Sequence, residues 1–356
     1  MLMSAVLPTP TRALLSRLRP GSAAPSRSSV TTLALVSVLG YAVLSATSHG
    51  ALLHGSAIRG VLIYLTVPIL IGLAQLIVLA VGQMNLSVGA LGGFLSVTMA
   101  SLMADQGVPA AVAVALGLAA GAAIGAVNGL LVVVTRINGF IVTLATMTIL
   151  GGLQYKVAGT RTIDVPAGAL TGFGSAGVLN VPAIFLVALA VAALIGFFLR
   201  RAAAGRRLLA SGGNPLAAQL SGISNHRSLV VAHTISGLVI GVAAVLTTAS
   251  SPGVNKSIGG DWLLPSFAAP IMGGAALVGG AVSVAGTVLA AFVVRLVDVA
   301  RAQFSLDPSW VDFTVGAVVL GTVILGHLRQ RRQDRTRTTP KPPAVAGPQH
   351  AAGSTP

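Results

Sequence analysis

The chain has 356 residues, 54% of them apolar and 8% charged, with 43 Gly, no Cys and a formal net charge of +15. A soluble domain would carry about 25% charged residues, so an ordinary soluble fold is excluded. Seven acidic residues, all Asp, and no Cys leave almost nothing for carboxylate-pair hydrolysis, a glutamate-dependent metal site, a zinc–thiolate site or a thiol nucleophile.

Such a basic chain invites a nucleic-acid reading, but the charges sit in short clusters between long apolar runs, and aromatics, at 4%, are too few to form base-stacking platforms. That is the charge pattern of a polytopic membrane protein. Residues 1–29, rich in Pro, Ser, Thr and Arg, read as a disordered basic tail. The transmembrane domain then occupies residues 30–327. Its first run, Val30 to Ser48, is read as a retained span rather than a signal peptide.

The second run, Gly60 to Gly82, ends at a polar interruption, Gln83-Met84-Asn85-Leu86-Ser87-Val88-Gly89. Asn85 reads as an N-cap for the third run, Val88 to Ala104. Alternatively Asn85, Ser87 and Gly89 form a substrate-facing helix end, candidates for the solute path. The fourth run, Val108 to Val134, holds Gly117, Gly121, Gly125 and Gly129 on one face, where another helix backbone can approach closely. A fifth run covers Gly139 to Leu153. Gly172, Gly174 and Gly177 then satisfy a nucleotide-binding spacing, but no strand precedes them and no amphipathic helix follows. With no phosphate-binding loop motif anywhere, the chain is not expected to hydrolyse ATP, and no catalytic residue, cofactor or metal site is expected.

After the sixth run, Val181 to Leu199, comes a basic loop, residues 200–228. Within it Asn214 is a good N-cap, Pro215 suits the first helical position, and Gly222 supplies a left-handed stop, with Leu216 and Leu220 sharing a face. A helix of about two turns is not stable alone in water. It must dock, either on lipid headgroups or on a soluble partner as a mechanical coupler, and spacing leaves both open. The remaining runs are Leu229 to Ser250, Ser266 to Val282, Val284 to Ala300 and Val311 to His327. Gly273-Gly274 and Gly279-Gly280 break the eighth, which suggests either close packing or an interrupted helix beside a permeation path. Arg295 and Asp298 stand one turn apart, an intrahelical pair near the end of the ninth. Residues 328–356 read as a second disordered basic tail.

The expected fold is therefore all-α and polytopic, with about ten transmembrane helices, eight plus re-entrant segments being the alternative. Ten crossings place both termini in the cytoplasm and 16 of the 22 basic residues on that side, as the positive-inside rule requires.

Three motifs resemble the permease subunits of bacterial ABC importers for ribose, xylose and other monosaccharides, from roughly Gly60 to Gly326. Gly82 through Gly89 occupies the place of the family's G-x-D-L-S-V-G, and Asn128-Gly129-Leu130 with Phe140 to Met147 is similar to its N-G-x-x-V and F-I-x-T-L-x-x-M. The most specific match runs from Gly205-Arg206 through Gly212-Gly213-Asn214 and Ala217-Ala218 to Leu220-Ser221-Gly222-Ile223. The resemblance implies that Gly212, Gly213, Asn214, Ala217, Ala218, Leu220, Gly222 and Ile223 form the element that docks on an ATPase. It also implies an ABC ATP-binding subunit, an extracytoplasmic solute-binding protein, a second permease copy or paralogue, and a bacterial plasma membrane location. Asn85 stands where the family usually has Asp, and both acidic positions of its G-Y-E-L-D-A-I-A-A segment are missing from Gly260 to Ala269. Permeases for nucleosides or branched-chain amino acids, and less closely an ion-coupled carrier, are the alternatives.

Overall fold

Long apolar runs without internal turn residues can satisfy their backbone only as helices. The computed structural model describes residues 27–307 and, beyond them, 309, 310, 313, 316, 317, 320 and 321. Both expected tails and most of the expected span Val311 to His327 lie outside the described residues.

Helix α1 (Arg27–Thr47) is followed by a short 3-10 turn (Ala51–Leu53) and by α2 (Gly55–Ala80), α3 (Val88–Ala104), α4 (Ala110–Thr135) and α5 (Gly139–Ala158). A short hairpin, a small helix and one long-range strand pair follow at one end of the bundle. β1 (Ile163–Asp164) pairs with β4 (Gly253–Val254), β2 (Gly177–Val178) pairs with β3 (Val181–Pro182), and α6 (Ala169–Ser175) lies between the first two strands in sequence. The chain then forms α7 (Ala183–Arg201), α8 (Ala203–Gly213), α9 (Pro215–Leu220), α10 (Asn225–Ser250), α11 (Leu263–Met272) and α12 (Val284–Gln303).

Among the described residues, six helices are long and apolar enough to cross a membrane: α1, α2, α4, α5, α7 and α10. Helices α3 and α11 are apolar but shorter, and α12 carries Arg295, Asp298 and Arg301. Of the two readings of Ser266 to Val282, the interrupted helix is the one found: helix ends at Met272, and the chain turns through Gly273 to Ser283 before α12. Gly274, Gly279 and Gly280 all take positive φ there, a region that side chains with a Cβ avoid.

Helices α2 and α10 form the centre. Ile69, Leu70, Leu73, Leu76 and Ile77 of α2 are fully buried, as are Ile240, Ala243 and Ala244 of α10. Helix α4 lies along one side of α10, while α7, α11 and α12 pack on α2 and α1 packs on α12. Pro68 inside α2 removes one backbone donor, yet the surrounding helices keep that helix continuous. An irregular stretch from Lys256 to Trp262 runs beside α3. Gln154 of α5 donates to the carbonyls of Lys256 and Ile258, at 3.2 and 3.0 Å. Gly89, Gly92 and Gly93 of α3 leave room for Gly259, Trp262 and Ile258, with any Cβ there overlapping that stretch. Non-helical backbone in a membrane protein persists when covered and bonded in this way.

Candidate functional site: a polar junction and an exposed short helix

Two arrangements carry chemistry beyond packing. The first surrounds the break between α2 and α3. Asn85 Oδ1 accepts from the Ser87 amide at 3.0 Å and from the Ser87 hydroxyl at 2.7 Å, while Asn85 Nδ2 donates to Ser236 Oγ on α10 at 3.2 Å. Asn128 of α4 donates to Ser87 Oγ at 3.4 Å and accepts from Thr146 Oγ1 of α5 at 2.6 Å. Thr143 accepts the Leu86 amide at 3.1 Å, and Gln83 accepts the Gly139 amide at 3.0 Å. With its amide turned so that nitrogen meets oxygen, Gln75 of α2 bonds the backbone of Asn85 in both directions, at 2.9 and 3.2 Å. Side chains of α2 and α5 thus satisfy a backbone that has left helical geometry, and those of α4 and α10 satisfy the side chains of Ser87 and Asn85 within it.

Asn85, Ser87, Asn128 and Ser236 are all at most 2% exposed. In this conformation the break is a closed, uncharged junction rather than an open surface. The expected N-cap at Asn85 is also corrected. Helix α3 starts at Val88 with Ser87 at its N-cap position and no side-chain cap, so Asn85 organises the turn before the helix. Gly89 packs on the Gly259 carbonyl.

The glycines of α4 explain how α10 reaches this junction. A Cβ on Gly121 would lie 2.6 Å from the Gly237 carbonyl oxygen, one on Gly129 2.7 Å from Val230 Cα, and one on Gly125 would overlap the His233 carbonyl. Gly117 makes the same room for Met99 of α3. The backbones of α4 and α10 are in contact because Gly121, Gly125 and Gly129 carry no side chain.

The second arrangement is α9. Asn214 Oδ1 accepts the Ala217 amide at 3.0 Å, Pro215 occupies the first turn, and Gly222 takes φ +77°. The Ile223 amide donates to the Ala218 carbonyl at 2.9 Å and the Gly222 amide to Gln219 at 3.0 Å, the paired closure of a glycine-stopped helix. Leu216 is 68% exposed and Leu220 81%, whereas Ala218 is buried. Asn225 of α10 donates to the Pro215 carbonyl at 2.9 Å, which ties the start of α9 to α10.

Gly212 does something the sequence did not disclose: it faces inward, while Gly213 beside it is exposed and lies against Gly280. A Cβ on Gly212 would overlap the Ala80 carbonyl at the end of α2 and sit 2.8 Å from the Gly280 amide. The Gly280 amide donates to Ala80 at 3.0 Å, and Gly279 lies against Gly82 and the Gly212 carbonyl. The end of α2, the end of α8 and the turn before α12 therefore meet backbone to backbone. Leu216 and Leu220 remain exposed, and one residue, Asn214, separates the glycines of this knot from α9.

Residues 57–323 match the family model described as branched-chain amino acid transport system / permease component. The chain is 31% identical over 297 residues to the fructose import permease protein of Rhizobium meliloti, covering 80% of this chain and 82% of that one. It is 25% identical over 287 residues to the D-allose transport system permease protein of Escherichia coli, covering 81% and 88%. It is 31% identical over 204 residues to an autoinducer 2 import system permease protein of Klebsiella pneumoniae, covering 57% and 59%. No solved structure matches. With three quarters of its length inside the family model and apolar helices spanning that stretch, the chain belongs to the branched-chain amino acid transport system / permease component family of multi-pass membrane proteins.

Proposed function

We propose that the chain is the membrane-spanning permease of an ATP-driven bacterial importer for a monosaccharide or similar small polar solute. The carrying observation is α9: a short capped helix that exposes Leu216 and Leu220 while its neighbours Gly212 and Gly213 contact the end of α2 and the turn before α12. Burying two leucines against a partner would contribute roughly 1.5–3 kcal/mol each. Two ATP-binding subunits on the cytoplasmic face supply that partner, a second permease copy or paralogue completes the path, and an extracytoplasmic binding protein delivers solute. Movement of α9 on ATP-driven closure would be passed through the glycine knot to α2 and α12, shifting the equilibrium between inward and outward openings. Both termini lie in the cytoplasm on this reading, with the chain in the inner membrane.

The Asn85–Ser87–Gly89 break contributes neutral hydrogen bonds to hydroxyls in the conformation that opens the seam between α3 and α10. The names of the sugar permeases among the relatives favour a monosaccharide. The family description favours branched-chain amino acids as the second reading.

Tagged protein purified in mild detergent is expected to bring an ATP-hydrolysing subunit with it, and the doubly substituted Leu216→Glu, Leu220→Glu chain to lose it. Uptake of radiolabelled D-fructose, D-allose and L-arabinose, with L-leucine as competitor, separates the two solute readings. Uptake that survives ATP depletion but collapses with an uncoupler would overturn the importer in favour of an ion-coupled carrier.

A further inference from the structure

Charged side chains well inside a spanning bundle are costly unless they face protein or water. Helix α12, which packs against the central α2, carries an ion pair: Arg295 Nη1 donates to Asp298 Oδ2 at 3.3 Å. The Arg295 guanidinium carbon lies 4.7 Å from the centroid of the Tyr64 ring on α2. Tyr64 stands nine residues into α2 from Gly55, and Arg295 eight residues before the end of α12 at Gln303. At about 1.5 Å per residue, each is roughly 12–14 Å in from the helix end.

This cluster is not sealed. Tyr64 is 65% exposed, and the Arg295 and Asp298 side chains are 19% and 31% exposed. The Nε of Arg295 is buried without an acceptor. Asp261, just before α11, and Arg301 lie close enough to act on Asp298 electrostatically. Hydrocarbon would leave the open carboxylate and guanidinium edges without partners, and a large aromatic ring beside them offers a platform that lipid does not need.

We propose that this face of α2 and α12 lines a water-filled part of the solute path, where Tyr64, Arg295 and Asp298 meet a neutral polyhydroxylated solute. A guanidinium presents parallel N–H donors and a carboxylate paired acceptors, a match for neighbouring hydroxyls. The phenol ring covers the C–H surface of the same solute. The assignment rests on the transport reading above.

The chain has no Cys, so single-cysteine variants report one position each. Tyr64→Cys is compared with Leu194→Cys on α7, a position 67% exposed in the chain. The full transporter in membrane vesicles is treated on both faces with a membrane-impermeant maleimide. We expect Tyr64→Cys to be modified at least tenfold faster, and D-fructose, D-allose or L-arabinose, but not L-leucine, to slow it. A rate no greater than that of Leu194→Cys overturns the assignment in favour of a lipid-facing surface. Oxidative cross-linking between two Tyr64→Cys chains overturns it in favour of the interface with a second copy. Protection by L-leucine alone, or by none of the four, removes the polyhydroxylated solute. Labelling needs no uptake, so fast modification without ATP-driven transport would instead count against the importer reading.

Discussion

Asn85 does two jobs at once: one atom accepts two hydrogen bonds from Ser87, and the other reaches across to Ser236. Asn85→Leu would strand both Ser87 donors and the Ser236 hydroxyl in a buried site, at about 1–3 kcal/mol for each group left unsatisfied. The expected outcome is a lower thermal midpoint in detergent and reduced uptake at matched expression; unchanged uptake would remove Asn85 from the path. Asp105 makes a simpler case outside the spans. A hydrogen bond from Arg161, then one from Ser101, hold its carboxyl below the ordinary range. A depressed folded pKa gives stability that is present above the unfolded value near about 3.9 and is lost as pH falls through the folded one. Because the pair is solvent-exposed the effect is small. Asp105→Asn should melt slightly below the wild type at pH 7, and the gap should close in acid.

At the scale of helices, the α4–α10 contact depends on missing side chains. Gly121→Val would place two extra methyls and a Cβ against the Gly237 carbonyl, and overpacking of this kind costs about 1–3 kcal/mol or more. Loss of monodisperse protein in detergent is the expected readout. Gly152→Ala on α5 is the matched control, since a Cβ there meets nothing within 4 Å. It should leave the thermal midpoint unchanged or raise it slightly. The stripe of glycines was legible because a four-residue spacing defines a helix face; which helix approached it was not, because α10 lies about a hundred residues away in sequence.

Considering the whole molecule, force applied at α9 would have a short covalent and packed route inward through the glycine knot. Gly280→Ala would combine a left-handed backbone at φ +80° with overlap against Gly213. Strain at such positions costs of order 1–3 kcal/mol. The variant is expected to retain the ATPase subunit in purification but to lose solute-stimulated ATP hydrolysis, whereas Leu216→Glu with Leu220→Glu loses the subunit itself. A Gly280→Ala transporter with normal stimulation would show that the knot is packing alone.

Local chemistry explains what could be read in advance. The apolar runs, the Asn214 cap, Pro215 at the first turn and the Gly222 stop are written within a few neighbouring residues, and the chain alone fixes them by backbone sterics and the absence of water as a partner. The half-length of α11 was only partly legible: its glycines signalled a break, but not that helix would stop at Met272. Asn85 was read as a cap because the sequence shows a short polar side chain before an apolar run, yet not the Ser236 and Asn128 that surround it. The inward face of Gly212, the course of Lys256 to Trp262 beside α3 and the meeting of Tyr64 with Arg295 were decided by tertiary structure alone. Each depends on segments far apart in the chain being brought to contact distance, and no local spacing encodes that.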